Sequence, residues 1–384
     1  MKKIKFRENG EEHNFWQNYT DLMSGFLIVF IIASLVAYNK YKGYVELYYG
    51  VGVTEANIND IVVNAKLYKQ INAIIGNPPY QVMDGGGKGS SSISIFDKFV
   101  ELSIKTNPHY SSLIIPSRWF SGGKGLDEFR DKMLHDCRLR QINDFFDATT
   151  CFPTADISGG ICYFLWDKSH HGQSLIISER NGCKSSMKRP LLEENCDAFI
   201  RFNESVSIMR KILALKEKSF ESIVSTRKPF GDIKPYSSQK ELKVYAYPND
   251  GFISKTEVRQ GEEYINRWKV FITKAYGERG DFPYFVIGKP FIGMPNEICT
   301  ETYLLINTIP KKEICENVVS YMKTRFFRFC VLQKKSTQNA ARNVYSFVPI
   351  QDFSKKWTDE LLYKKYDLTK EEQNYIEAVI KPMD

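Results

Sequence analysis

The sequence predicts an α/β chain: an incomplete open sheet with interleaved helices, then an α+β region, with an apolar helix at the amino end. Three observations predict it. Short apolar runs ended by turn residues, INAIIGNPPY and SSLIIPSRWF, alternate with amphipathic helical patterns such as SISIFDKFVE and GGKGLDEFRDKML. From about Ser174 the pattern loosens into mixed strands and helices rich in basic and aromatic residues. Leu22 to Tyr38, LMSGFLIVFIIASLVAY, is a run of 17 residues without a charge.

At 384 residues the chain has room for two or three domains, and the three patterns divide it at 1–42, 43–173 and 174–384. Hydrophobic residues at 43% and charged residues at 26% exclude wholesale disorder. The net charge of +8 favours a polyanionic partner and does not by itself establish one. Eight cysteines without a C-x-x-C pair, and five histidines without metal-ligand spacing, indicate reduced thiols in a cytoplasmic protein and no metal site. No H-E-x-x-H, phosphate loop or Gly-x-Ser-x-Gly elbow is present, which removes the main hydrolase and nucleotide-triphosphatase readings.

Taken in order, the apolar run comes first. Seventeen residues are at the lower edge of what spans a bilayer, so a transmembrane helix and a buried core helix both fit. The transmembrane reading would give the chain a membrane association. Lysines flank both ends and give no orientation. Residues 14–38 resemble the membrane-entry segment of flagellar-stator B-type subunits, with Asp21 in the place of that family's aspartate; an aspartate at a helix start is also ordinary capping.

In INAIIGNPPYQ the strand Ala73 to Ile75 is stopped by Gly76 and by two prolines that cannot continue a ladder. That leaves Asn77, Pro78, Pro79 and Tyr80 at the strand's carboxyl end, where open α/β sheets bind ligands. A proline-stiffened loop is the alternative. The tetrapeptide resembles the fourth motif, [DNS]-P-P-[YFW], of the amino-methyltransferases that act on DNA, in the N-P-P-Y form typical of type II adenine-N6 enzymes of restriction–modification systems.

The resemblance implies a class I, Rossmann-like methyltransferase sheet, S-adenosylmethionine as methyl donor and double-stranded DNA as partner. It also implies roles. The adenine amine is a poor nucleophile, and the Asn77 side-chain oxygen and the Pro78 carbonyl would accept its N–H groups. Tyr80 would stack on the base flipped out of the duplex. The similarity continues through the Gly85–Gly87 loop, Pro116-Ser117-Arg118-Trp119, Phe152-Pro153 and Asp156, and the strand in GGICYFLWDK, and extends over roughly residues 71 to 384.

A complete enzyme of this family needs a glycine-rich turn before that motif. Gly50 and Gly52 mimic it, but only 24 residues separate Gly52 from Asn77, too few for the intervening strands and helices. The cofactor-binding residues therefore stay unknown, and a separate cofactor-binding polypeptide, or a restriction subunit, becomes an expected partner. In YMKTRFFRFCVLQKKSTQNAARNVYSF, cations interleave with aromatic residues as a DNA-reading surface requires; an amphipathic helix with its aromatic face in the core is the alternative. The DNA-binding candidates are Arg118, Trp119, Lys334, Lys335 and Arg342. Near the carboxyl end Thr369 and Glu372 predict a capping box opening a last helix.

The leading expectation is an adenine-N6 DNA methyltransferase component lacking its cofactor half, either truncated or complemented by another polypeptide. A non-catalytic DNA-binding specificity module and a membrane-anchored phage-defence component are the competing ones.

Overall fold

A computed structural model describes residues 72–83, 92–121, 125–153, 157, 159–180, 182–278, 282–335 and 337–384. The chain divides into Met1–Lys69 and Gln70–Asp384, and the described residues all belong to the second unit. The apolar run, Asp21, Gly50, Gly52, the Gly85–Gly87 loop and Asp156 fall outside the described residues. So does the boundary expected after residue 42. Among the described residues no helix is long and apolar enough to cross a membrane.

The leading strand is β1 (Ala73–Gly76), one residue longer than expected because Gly76 still pairs with Leu113, and it is ended by the Asn-Pro-Pro turn. A short antiparallel pair follows, β2 (Gln81–Met83) with β3 (Ser92–Ser94). Helix α1 (Phe96–Lys105) buries Phe96, Val100 and Ser103, positions spaced to lie on one face. Strand β4 (Tyr110–Pro116) carries alternating buried positions, and its buried Ser111 shares a hydrogen bond with Ser103 at 3.0 Å. Helix α2 (Asp127–His135) buries Phe129, Met133 and Leu134.

Strands β5 (Leu139–Phe145), β6 (Ile161–Asp167), β7 (Ser174–Arg180) and β8 (Cys183–Arg189) complete a six-stranded sheet. Its order is β1-β4-β6-β5-β7-β8. β1 runs parallel to β4 and β5 parallel to β7, while β6 is antiparallel to both neighbours. The carboxyl ends of β1, β4 and β5 and the amino end of β6 therefore share one edge.

The sheet continues past the boundary expected after residue 173. β7 is hydrogen-bonded to β5 from Gln141↔Leu175 to Phe145↔Glu179, and β8 extends the same sheet to Arg189. The polar alternation of β8, which lies at the sheet's rim, made the segment read as the start of something new.

Beyond the sheet, α3 (Asn203–Ala214) opens an α+β region. It contains β9 (Leu242–Tyr245), β10 (Gly251–Ile253), β11 (Lys269–Thr273), β12 (Phe291–Gly293), β13 (Glu297–Cys299) and β14 (Tyr303–Ile306). They form two three-stranded sheets, β10-β9-β13 and β12-β11-β14. Helices α4 (Lys312–Lys323), α5 (Arg325–Leu332), α6 (Asp359–Lys365) and α7 (Lys370–Val379) follow.

Thr369 and Glu372 cap α7 reciprocally, as their spacing predicts. The first part of the basic–aromatic run spans the junction of α4 and α5 at Thr324, with Tyr321, Phe326, Phe327 and Phe329 fully buried. Their aromatic face belongs to the core, as the amphipathic-helix alternative required. Residues 198–202 connect the two regions: Phe199 enters the core under the six-stranded sheet, while Ala198 and Ile200 enter the larger core of the α+β region.

Candidate active site

Asn77, Pro78, Pro79 and Tyr80 follow β1 directly, so the tetrapeptide stands at the shared edge. Asn77 is exposed, and among the described residues no hydrogen bond within the chain engages its side chain. Its amide is available to a ligand. Tyr80 turns the other way, toward the core: its backbone oxygen accepts the Ile95 N–H at 3.2 Å, and its ring packs against the cluster of Phe96, Trp119 and Cys162. The hydroxyl is buried, and among the described residues it has no hydrogen-bond partner. Burial, with lesser contributions from Cys162 and Cys151, pushes its pKa up to about 12.

Beneath Tyr80 the edge is built from polar groups. The Trp119 indole N–H points at the Cys162 sulfur at 3.4 Å, and burial pushes the Cys162 thiol up to about 12, the neighbouring Asp144 charge adding to it. Ser117 Oγ donates to Asp144 Oδ1 at 2.7 Å, and its backbone N–H donates to the Gly160 carbonyl at 3.0 Å. Arg201 holds Asp144 with two bonds, Nε to Oδ2 at 2.5 Å and Nη2 to Oδ1 at 2.8 Å.

Gly160 is required at this crossing. Its φ is +80°, and a β-carbon there would lie 2.2 Å from the Phe145 carbonyl oxygen. The Arg201 guanidinium also lies 3.7 Å over the Phe146 ring.

The DNA-binding candidates are placed very differently. Trp119 is fully buried among Phe120, Phe129 and Cys162, so its indole offers DNA no face. It is a core residue. Lys334 is buried, its ammonium taken by Asp197 and, at 2.7 Å, by Ser346 Oγ. Lys335 turns inward and donates to the Tyr276 carbonyl at 2.7 Å, and burial pushes its pKa down to about 8. Both lysines, expected at phosphates, are engaged within the fold.

Arg118 is half-buried 5.7 Å from the Phe96 ring, with desolvation pulling its pKa down. Arg342 is exposed, with Nε on the Glu221 carbonyl. Of the two arginines, Arg118 stands near the Asn77 edge, in the turn Ser117–Phe120 that follows β4; Arg342 lies in the α+β region.

Sequence reasoning missed Asp144, Arg201 and the fixed role of Gly160. A carboxylate inside the apolar run INDFF was the available signal, since a buried charge needs a cation, but nothing local says that the cation comes from residue 201.

Residues 37–152 match the Eco57I restriction-modification methylase family. An uncharacterized adenine-specific methylase of Mycoplasma pneumoniae is 40% identical over 144 residues, 37% of this chain and 34% of that protein. The type II methyltransferase M.PstI of Providencia stuartii is 23% identical over 159 residues, 39% of this chain and 31% of that protein. The chain thus spans about a third of the length of the curated relatives it matches.

Among solved structures, the type IIL restriction-modification enzyme MmeI in complex with DNA aligns at 12% identity over 71% of this chain and 45% of that one, with a TM-score of 0.36, below the level of a shared fold. The family match begins at residue 37, ahead of the start near 71 read from the sequence, and ends at 152, short of the carboxyl-terminal half. Through the segment that carries Asn77 to Tyr80, the chain is similar to the adenine-specific restriction-modification methylases, and the family it matches there is that of the Eco57I restriction-modification methylases.

Proposed function

We propose that the chain serves site-specific adenine-N6 methylation of DNA in a restriction–modification system. The observation that carries this reading is the Asn77-Pro78-Pro79-Tyr80 turn at the carboxyl end of β1, inside the segment matched by the methylase family. The sheet supports the finer reading of a partial class I methyltransferase fold, since parallel strands end at that edge and an antiparallel strand is inserted among them.

In this reading the exposed Asn77 amide oxygen and the Pro78 carbonyl accept the two N–H groups of the target amine. Accepting them draws the nitrogen toward a tetrahedral geometry and frees its lone pair. The turn's prolines fix both acceptors before the base arrives, so little ordering is left for the moment of reaction. In this reading the partly buried Tyr80 forms one wall for the flipped base with its ring, and its hydroxyl takes no part. The base must leave the duplex to reach the edge.

The methyl donor in this reading is S-adenosylmethionine. The residues ahead of Asn72 lie outside the described ones, so no residue is assigned to the donor and no step is derived through it. The α+β region, residues 203–384, takes the role of target recognition, with Arg118 and Arg342 as the remaining DNA-contacting candidates. A separate polypeptide supplies whatever part of the donor site this chain lacks. Mass spectrometry of nucleosides from DNA of a host expressing the chain with its genomic neighbours tests the reading. N6-methyladenine should appear, and neither N4- nor C5-methylcytosine.

A further inference from the structure

The Asp144 carboxylate is wholly buried at the candidate edge, and its cation comes from a distant part of the chain. Asp144 lies in β5, within the segment that matches the methylase family; Arg201 lies in the connection between β8 and α3, outside it. The arginine is itself mostly covered, with 16% of its side chain exposed. Its two bonds leave Oδ1 shared with Ser117, the first residue after β4.

One guanidinium therefore ties the end of β5 to the end of β4. Through Ser117 N–H on the Gly160 oxygen, the tie reaches the start of β6. Cys162 is two residues further along β6, within the buried cluster against which Tyr80 packs, and the Asp144 and Arg201 charges both act on it. Phe146 and Phe120 flank the guanidinium at 3.7 and 5.8 Å and leave it little freedom to swing away.

We propose that Arg201 is a positioning residue of the candidate active site: through Asp144 and Ser117 it sets the height of the floor on which the Tyr80 ring rests. The proposal rests on the methylation reading only for the ring's purpose, since the brace itself is a matter of geometry. Removing the guanidinium leaves a carboxylate buried and unpaired, which the edge can relieve only by moving β5 or admitting water. Either movement displaces Ser117 and the Cys162 floor. The methylase-like segment is then not self-sufficient, because part of its active edge is held by a residue some fifty positions downstream of the family match.

The test uses the full chain with 3-fluorotyrosine placed at position 80 and fluorine NMR. In the otherwise unaltered chain the resonance should stay shifted from that of free fluorotyrosine and should not titrate where the free amino acid does. Arg201→Ala and Asp144→Asn should each move it toward the free value and restore titration. Arg201→Lys, which keeps a cation, should recover part of the shift, and Arg227→Ala, which breaks an exposed pair with Glu301, should leave it in place.

A folded Arg201→Ala or Asp144→Asn chain with an unmoved resonance overturns the proposal. So does failure of all three edge variants to fold while Arg227→Ala folds, because the pair would then be a requirement of the fold and not of the site's geometry. No DNA or methyl donor enters the measurement. A displaced resonance in a chain that never methylates DNA supports the brace and counts against the methylation reading alone.

Discussion

The Trp119 indole nitrogen donates to the Cys162 sulfur across 3.4 Å, inside the cluster on which the Tyr80 ring rests. A tryptophan that the sequence offers to DNA is thus part of the support for the candidate turn. Trp119→Phe should lower stability by about 1–2 kcal/mol, from lost packing and the lost N–H contact. The salt dependence of DNA binding should stay unchanged in the folded fraction. A change in that slope, read by fluorescence anisotropy over a salt series, would return Trp119 to the DNA surface.

Tyr80 carries a buried hydroxyl with no hydrogen-bond partner among the described residues. Leaving such a group unsatisfied costs about 1–3 kcal/mol, so Tyr80→Phe should hold or raise the urea midpoint. Tyr80→Ala should lower it, because the ring packs against the sheet's core. A Phe variant less stable than the parent would mean that the hydroxyl has a partner in solution.

Gly160 crosses under the Phe145 carbonyl with φ of +80°. Gly160→Ala should cost about 3 kcal/mol or more, from the left-handed backbone and the overlap together, and should reduce soluble expression. Gly182 also has a positive φ but open space around it, so Gly182→Ala should cost only about 1 kcal/mol. Equal losses at the two sites would show that the close approach at Gly160 is relaxed in solution.

Lys269 is buried with its ammonium on the carbonyl oxygens of Ile265, Met294 and Glu297, and burial pushes its pKa from 10.5 down to about 8. The folded state then holds this proton less tightly than the unfolded one. Between about pH 8 and the unfolded value the unfolded chain binds more protons, so Lys269's contribution to stability rises with pH across that window. Below it both states are protonated and the cost of burying the charge is present in full. Urea midpoints at about pH 7 and about pH 9.5 should differ less in Lys269→Met than in the parent. The Met variant should be the less stable at both, since three carbonyls lose their donor.

Much of the sheet was legible in the sequence because its cues are local. Prolines end β1 and glycines precede β6, while apolar spacing marks α1 and α2. The capping pair Thr369 and Glu372 is equally local. What escaped depends on partners far apart in sequence. Asp144 is answered by Arg201, Lys334 by Asp197, and β7 by β5, and no pattern around one member names the other. The same limit explains Lys334 and Lys335: a cation beside aromatic residues looks alike in one dimension whether it meets phosphate or a carbonyl inside the fold.

The central claim is that Asn77, exposed at the end of β1, accepts from the target amine. The most direct test is adenine methylation by the full chain, assembled with the polypeptide that completes its donor site, measured beside duplex binding for the parent and Asn77→Ala. The account predicts that Asn77→Ala loses methyl transfer by at least about a hundredfold, in line with the loss of a positioned hydrogen-bonding group, while its affinity for the duplex stays within about twofold. Parental turnover in Asn77→Ala would contradict the account and return the Asn-Pro-Pro-Tyr turn to a structural loop.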